Sequence, residues 1–294
     1  MNRTHFTAQL ALCAWLLAHC FAMALAEDPP TAAAAVLTST NPNVFAPDHS
    51  AIELGRFQLA IVIDDLGYNR ARDMRAIELP AALTVAVLPQ SPWAAAMASH
   101  AARAGKEVIL HQPMQTLSGR HLHEHGGLRL GMTAPDYAAT LSANLAAVPG
   151  SVGINNHRGS LLTAELDAMT ELMQQLQNRG LYFLDSRTTA ATVAHDVAKH
   201  WGVPTLKRDV FLDHERTAQA LDHEFKRALK IARKQGYAVL IAHPHEISLD
   251  YLSTALAQLP GDIETTTLSA LIARQASATF QANEPASVTT AAEF

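Results

Sequence analysis

The sequence predicts an α/β domain with a parallel sheet and helices outside it, either barrel-like or doubly wound. Two observations lead there. Short apolar runs of β-type residues alternate with longer helical patterns, and strands separated by helices pair in parallel. Nearly every run also ends in Asp, Asn or His, as expected where strand ends gather at one mouth or one sheet edge.

The runs fall, in order, at Leu59–Ile63, Leu83–Leu88, Glu107–Leu110, Val152–Ile154, Leu181–Leu184, Thr205–Phe211 and Ala238–Ala242. Helical patterns occupy Trp93–Ala104, Pro135–Ala147, Ala164–Arg179, Thr189–His200 and Thr217–Gln235. Outside this alternation the composition changes. Residues 1–26 read as a secretory signal: Arg3, an apolar stretch from Leu10 to Leu25, and Ala24-Leu25-Ala26 as a small-residue cleavage site. Pro29-Pro30 follows too soon for a comfortable membrane span, although an uncleaved anchor stays open. Residues 27–56 are rich in Ala, Pro, Thr, Ser and Asn and read as a flexible leader, 57–274 as the globular domain, and 275–294 as a disordered tail. The reading places the chain across an inner membrane, in a periplasm, with membrane contact only through the signal.

Composition removes several function classes. Apolar residues at 49% and charged residues at 17% of 294 exclude a disordered chain. A net charge of −5 argues against a nucleic-acid partner. Cys13 and Cys20 both fall in the signal, so the mature chain has no disulfide, thiol nucleophile or Cys-held metal. Any metal is then held by His and carboxylates, and the 15 His make such chemistry plausible.

The strand ends carry the candidates. Ile63 is followed by Asp64 and Asp65. Adjacent carboxylates on an extended chain point to opposite sides, so one can bind a metal while the other faces substrate. His111 follows Leu110, and Asn155-Asn156-His157 follows Ile154. Asp65, His111 and His157 together leave open positions on a divalent ion, as hydrolysis requires. His243 after Ala242 is the acid–base candidate, its ordinary pKa of about 6.5 allowing proton donation near neutrality. Asp185 and the Arg208-Asp209 pair are read as orienting ring nitrogens or clamping substrate, or else as an ion pair in the barrel wall. His121, His123 and His125 lie in a Gly-rich loop over the mouth; His195, His200, His214 and His223 read as surface residues.

As an ordered set, Ile63-Asp64-Asp65-Leu66-Gly67, Leu110-His111-Gln112-Pro113-Met114, Gly153-Ile154-Asn155-Asn156-His157-Arg158-Gly159-Ser160, Phe183-Leu184-Asp185-Ser186-Arg187-Thr188, Arg208-Asp209-Val210-Phe211-Leu212-Asp213 and Ile241-Ala242-His243-Pro244 resemble the divergent polysaccharide deacetylase family. The resemblance spans Leu59 to Ile272. It implies a deformed (β/α) barrel of about seven parallel strands and removal of acetyl groups from an N-acetylated glycan. By that resemblance Asp64 is the general base, His243 the general acid, and Asp65 and His111 ligands of a divalent metal, with Zn2+ expected. The second His of the family's His-x-x-x-His motif is replaced by Gln115, and His157 is read as filling that place. Asn156, Asp185, Arg208, Asp209 and Gln115 are assigned to substrate binding or orientation. The Arg-Pro-aromatic motif of the wider superfamily is not visible. Two rivals stay open: a catalytically altered envelope protein that binds glycan or a protein partner, and a hydrolase of another class, such as a glycosidase using Asp64 and Asp185.

Overall fold

A computed structural model describes residues 56–119 and 125–283. The expected signal, all but the end of the leader, and His121 and His123 lie outside the described residues. Among those described, no helix is long and apolar enough to cross a membrane.

The elements alternate as expected: β1 (Phe57–Leu66), α1 (Arg70–Ile77), β2 (Thr84–Val87), α2 (Ala94–Arg103), β3 (Glu107–Met114), α3 (Ala134–Ala147), β4 (Gly153–Arg158), α4 (Leu166–Gln177), β5 (Tyr182–Asp185) and α5 (Ala194–His200). There follow β6 (Thr205–Lys207), β7 (Val210–Phe211), α6 (Ala218–Gln235), β8 (Tyr237–Ala242), α7 (Glu246–Ala257), β9 (Ile263–Thr266) and α8 (Leu268–Asn283). Local chemistry sets several boundaries. Thr133 and Asp136 form a reciprocal capping box at the start of α3, and Gly236 ends α6 with φ 94°. At Gly67 (φ 117°) a Cβ would come within 1.8 Å of Ser91 Oγ, so the turn out of β1 admits only glycine.

All strand pairs are parallel, in the order β6-β5-β4-β3-β2-β1-β8-β7, with β9 also on β1. The run Thr205–Phe211, expected as one strand, is two. β6 pairs with β5, whereas β7 pairs with β8 at the far end of the order. Between them the Arg208 N–H donates to the Asp185 carbonyl and the Asp209 N–H to the Val239 carbonyl. This short segment therefore bridges both edges and bends the sheet into a deformed barrel. β9 and helices α1, α7 and α8 were not foreseen. α8 also runs past Arg274, where a disordered tail was expected to begin, because its Ala- and Gln-containing sequence favours helix; the described side chains beyond Arg274 stay largely exposed.

Two apolar clusters divide the strand residues by parity. Leu59, Ile61 and Ile63 of β1 join the large cluster beneath the helices. Ala60 and Val62 instead join Ile109, Tyr182, Leu184, Leu206, Val239 and Ile241 inside the barrel. Because strand side chains alternate, the next inward positions are Asp64, His111, Ser186, Arg208 and His243. At the opposite end α8 closes the barrel, with Leu268 and Leu271 in the inner cluster.

Candidate active site

β1 carries its two carboxylates to the mouth in an unexpected way. Its register with β2 shifts between Ile63 and Leu66, and Asp65 adopts a left-handed backbone with φ 62°. A bulge of this kind re-aims one side chain. The strand does not stay extended at Asp65, so the adjacent carboxylates do not part to opposite sides. Both approach His111: its Nε2 lies 3.1 Å from Asp65 Oδ1 and 3.8 Å from Asp64 Oδ2.

His157 completes a compact group. Its Nδ1 is 3.0 Å from Asp65 Oδ1 and 3.1 Å from His111 Nε2. Ligand atoms about 2.1 Å from one ion, at tetrahedral to right angles, stand roughly 3.0–3.4 Å apart, so this spacing suits a shared cation. Asp65 Oδ1 is buried yet makes no hydrogen bond of acceptable geometry, although two ring nitrogens lie beside it. Asn155 explains part of this. Its Oδ1, an acceptor only, sits 2.7 Å from His111 Nδ1, so that nitrogen carries the proton, and in the neutral ring, the form that binds a metal, Nε2 turns a lone pair toward Asp65. The residues fit a divalent ion bound by one carboxylate and two imidazoles. A second group, Asp213, His243 and His245, is close enough to hold a cation. Its carboxylate is already engaged by His243 and Ser248.

Charge and burial compete here. Burial raises the Asp65 pKa, but the two imidazoles outweigh it and hold the carboxyl well below the usual carboxylate range. Burial lowers His111, and the Asp64 and Asp65 charges reverse this to a net rise. For His157 burial prevails and the net shift is downward. Asp64 is 3% exposed, and its Oδ1 accepts from Asn155 Nδ2 at 2.9 Å.

His243 faces this group from β8, its Nε2 3.9 Å from Asp65 Oδ2. Its Nδ1 is 3.0 Å from Asp213 Oδ1, while its backbone N–H and the Ser248 hydroxyl donate to Asp213 Oδ2. A carboxylate can only accept, so Nδ1 is the protonated nitrogen and Nε2 addresses the cleft. Burial lowers the His243 pKa; the Asp213 bond and the charges of Asp64, Asp213 and Asp65 together overturn that, raising it to about 9. Asp64, Asp65, His111, His157 and His243 line one cavity of about 430 Å³. A neighbouring cavity of about 440 Å³ shares Asp65, His157 and His243, so the group lies where two lobes of a cleft meet.

Other expected residues are placed differently. Asp185 has outward parity: Oδ1 accepts from the Arg187 N–H and Oδ2 from Thr192 Oγ1, so it cannot partner Asp64 in a glycosidase pair. Asn156 spends its amide on the Ser186 N–H and the Arg158 carbonyl, bracing β4 to the loop after β5. Arg208 and Asp209 do not act as a pair. Arg208 lines the cleft, whereas Asp209 Oδ2 accepts from the Val239 N–H in the sheet. Gln115 Oε1 accepts from the Leu130 N–H and so ties the end of β3 to the segment that follows the Gly-rich loop. His125 is exposed. His214, expected as a surface residue, is exposed but borders the cleft. Asn155 and Asp213 were missed as partners of imidazoles. The signals were available: Asn155 shares its strand face with His157, and Asp213 closes the Arg208–Asp213 run.

Comparison with known proteins agrees with this architecture. A protein of Haemophilus influenzae with no assigned function is 38% identical over 216 residues, covering 74% of this chain and 77% of its own length. The Escherichia coli protein YibQ is 40% identical over 215 residues, covering 73% and 67% respectively. The crystal structure of ATU2773 from Agrobacterium tumefaciens superposes with a TM-score of 0.71 at 26% identity, covering 74% of this chain and 90% of that one. The family model for divergent polysaccharide deacetylase matches residues 61–272, the span that contains every strand end described above, and the chain belongs to that family.

Proposed function

We propose that this chain is an exported, zinc-dependent hydrolase that removes acetyl groups from N-acetylated envelope polysaccharide. The observation that carries the reading is the convergence of Asp65 Oδ1, His111 Nε2 and His157 Nδ1 within 3.1 Å, beside Asp64 and His243. A divalent ion bound there supplies Lewis acidity toward an amide carbonyl and lowers the pKa of water toward 7. Asp64, anchored by Asn155, takes the proton of the attacking water on the oxygen that faces the cleft. His243, its Nδ1 fixed by Asp213, gives the Nε2 proton to the departing sugar nitrogen. The two lobes on either side give a glycan chain room on both flanks of the acetylated unit. Export is read from the signal-like residues 1–26, and the proposal sets the protein in a periplasm beside envelope glycan.

The test pairs metal analysis with acetate release. Purified protein is expected to carry about one zinc per chain and to release acetate from peptidoglycan or chitin oligomers, with loss in chelator and recovery on adding zinc. Bound zinc with no acetate from either glycan favours the rival reading, a glycan-binding barrel that has lost hydrolysis, for which Gln115 in the place of a family His speaks.

A further inference from the structure

The rim of the mouth carries positive charge that these hydrolytic roles do not use. Arg208 is held rigidly: Nε donates to the Ser186 carbonyl at 2.7 Å and Nη2 to the Arg187 carbonyl at 2.9 Å. Its guanidinium lies over the Phe211 ring, 5.2 Å from the centroid. Arg187 follows β5 in a left-handed conformation, φ 50°, which non-glycine residues adopt only at a cost of about 1–3 kcal/mol. Both border the cavity that holds Asp64, Asp65, His111 and His243. Among the described residues neither guanidinium forms an ion pair with a carboxylate; the contacts of Arg208 are carbonyls and a ring. Burial pushes the Arg208 pKa down, and the Arg187 charge adds to that.

Two arginines that border one cavity, near enough for the charge of one to act on the other, offer the planar donor forks that bind carboxylate or phosphate. The cavity continues past Phe211 and His214 into another of about 690 Å³, also bordered by Arg208, which gives space for a neighbouring sugar unit. We propose that Arg187 and Arg208 form an oxyanion subsite that selects glycans bearing a carboxylate or phosphate on the unit next to the acetylated one. That the ligand is a glycan rests on the hydrolase reading above.

The test is calorimetric binding to the full chain carrying Asp64→Asn, which keeps the three metal-site residues and slows turnover. The probes are an N-acetylated oligosaccharide with a carboxylate, the same compound with that carboxyl reduced to an alcohol, and a phosphorylated counterpart. The carboxylated or the phosphorylated form should bind at least about tenfold more tightly than the alcohol, and the tighter of the two names the natural group. Arg187→Gln should erase the preference; this residue is exposed and outside the packed core, so folding is preserved. Equal affinity for all three probes, or a preference that survives Arg187→Gln, overturns the subsite. Acetate release by the unsubstituted protein separates the two readings: release without anion preference refutes the subsite alone, and an Arg187-dependent preference without release refutes hydrolysis alone.

Discussion

The two ends of the barrel treat half-buried carboxylates in opposite ways. At the end closed by α8, Glu107 Oε1 accepts from Thr84 Oγ1 at 2.7 Å, the Tyr182 hydroxyl at 2.8 Å and the Leu268 N–H at 3.0 Å. Its Oε2 accepts from the Ser269 N–H at 3.1 Å, so the carboxylate caps α8 with both oxygens occupied. At the mouth, Asp65 Oδ1 is buried with ring nitrogens nearby and no hydrogen bond. The positive-φ residues other than glycine, among those described, are Asp65, Arg158 and Arg187, all at the mouth. The Glu107 carboxylate is fully engaged where α8 closes the fold, whereas Asp65 Oδ1 is left unmet beside strained backbone where a ligand would enter. Backbone strain of this kind is characteristic of ligand sites.

The sharpest way to break this contrast is to remove the mouth carboxylate without disturbing its backbone. Asp65→Gly keeps a residue at ease with φ 62° and deletes the oxygen shared by both imidazoles. Metal content should fall to near zero and acetate release below detection, while the melting temperature holds or rises. Retained metal would mean that the three converging atoms are not a cation site. Next in size is Asp64→Asn, which keeps the Asn155 contact region but cannot take a proton. Zinc should stay bound while turnover falls about 10²–10⁴-fold; unchanged turnover removes Asp64 as the base.

Glu107→Ala addresses the other end. It leaves Tyr182, Thr84 and two helix N–H groups without their shared acceptor and should cost about 3 kcal/mol in denaturant unfolding. Zinc content and turnover per folded molecule should be unchanged. A loss of metal here would show that the two ends are coupled and that the contrast is not local.

The sequence made the central strands and the converging residues legible because β1, β3 and β8 are apolar runs with a polar residue at the first position past the core, and β4 carries its Asn and His straight after the short run Val152–Ile154. It misplaced Asp185 and Asp209 because a polar residue after a strand was taken as sufficient, whereas Asn156 does border the cleft. Parity decides: Leu184 and Leu206 face inward, so Ser186 and Arg208 reach the mouth, and Asp185 and Asp209 turn away. The bulge at Asp65 breaks that same alternation, which is why the pair, expected to diverge, converges on His111. The split of Thr205–Phe211 was not legible either, since closure of the two edges is a property of the whole sheet.

The smallest predicted effect concerns how the fold tunes its acid. His243 is raised to about 9 despite burial, chiefly through its bond to Asp213, with Asp64 and Asp65 adding their charges. An elevated folded-state value means that the charged imidazole stabilises the native protein below about pH 6.5, its unfolded value, and that this contribution is lost as pH rises through about 9. Asp213→Asn replaces the anion with a neutral amide, so the midpoint should move downward. Histidine proton resonances of metal-free protein should titrate near pH 9 in the unsubstituted chain and at lower pH in the variant. In the zinc-loaded protein the cation offsets part of the carboxylate charge, so both midpoints drop while their order is kept. The alkaline limb of the rate profile should move the same way, because less of the proton-donating form survives above neutrality. A loss of rate with no shift of the limb would confine Asp213 to holding β7 and β8 together, and His243 would then owe its proton to the mouth alone.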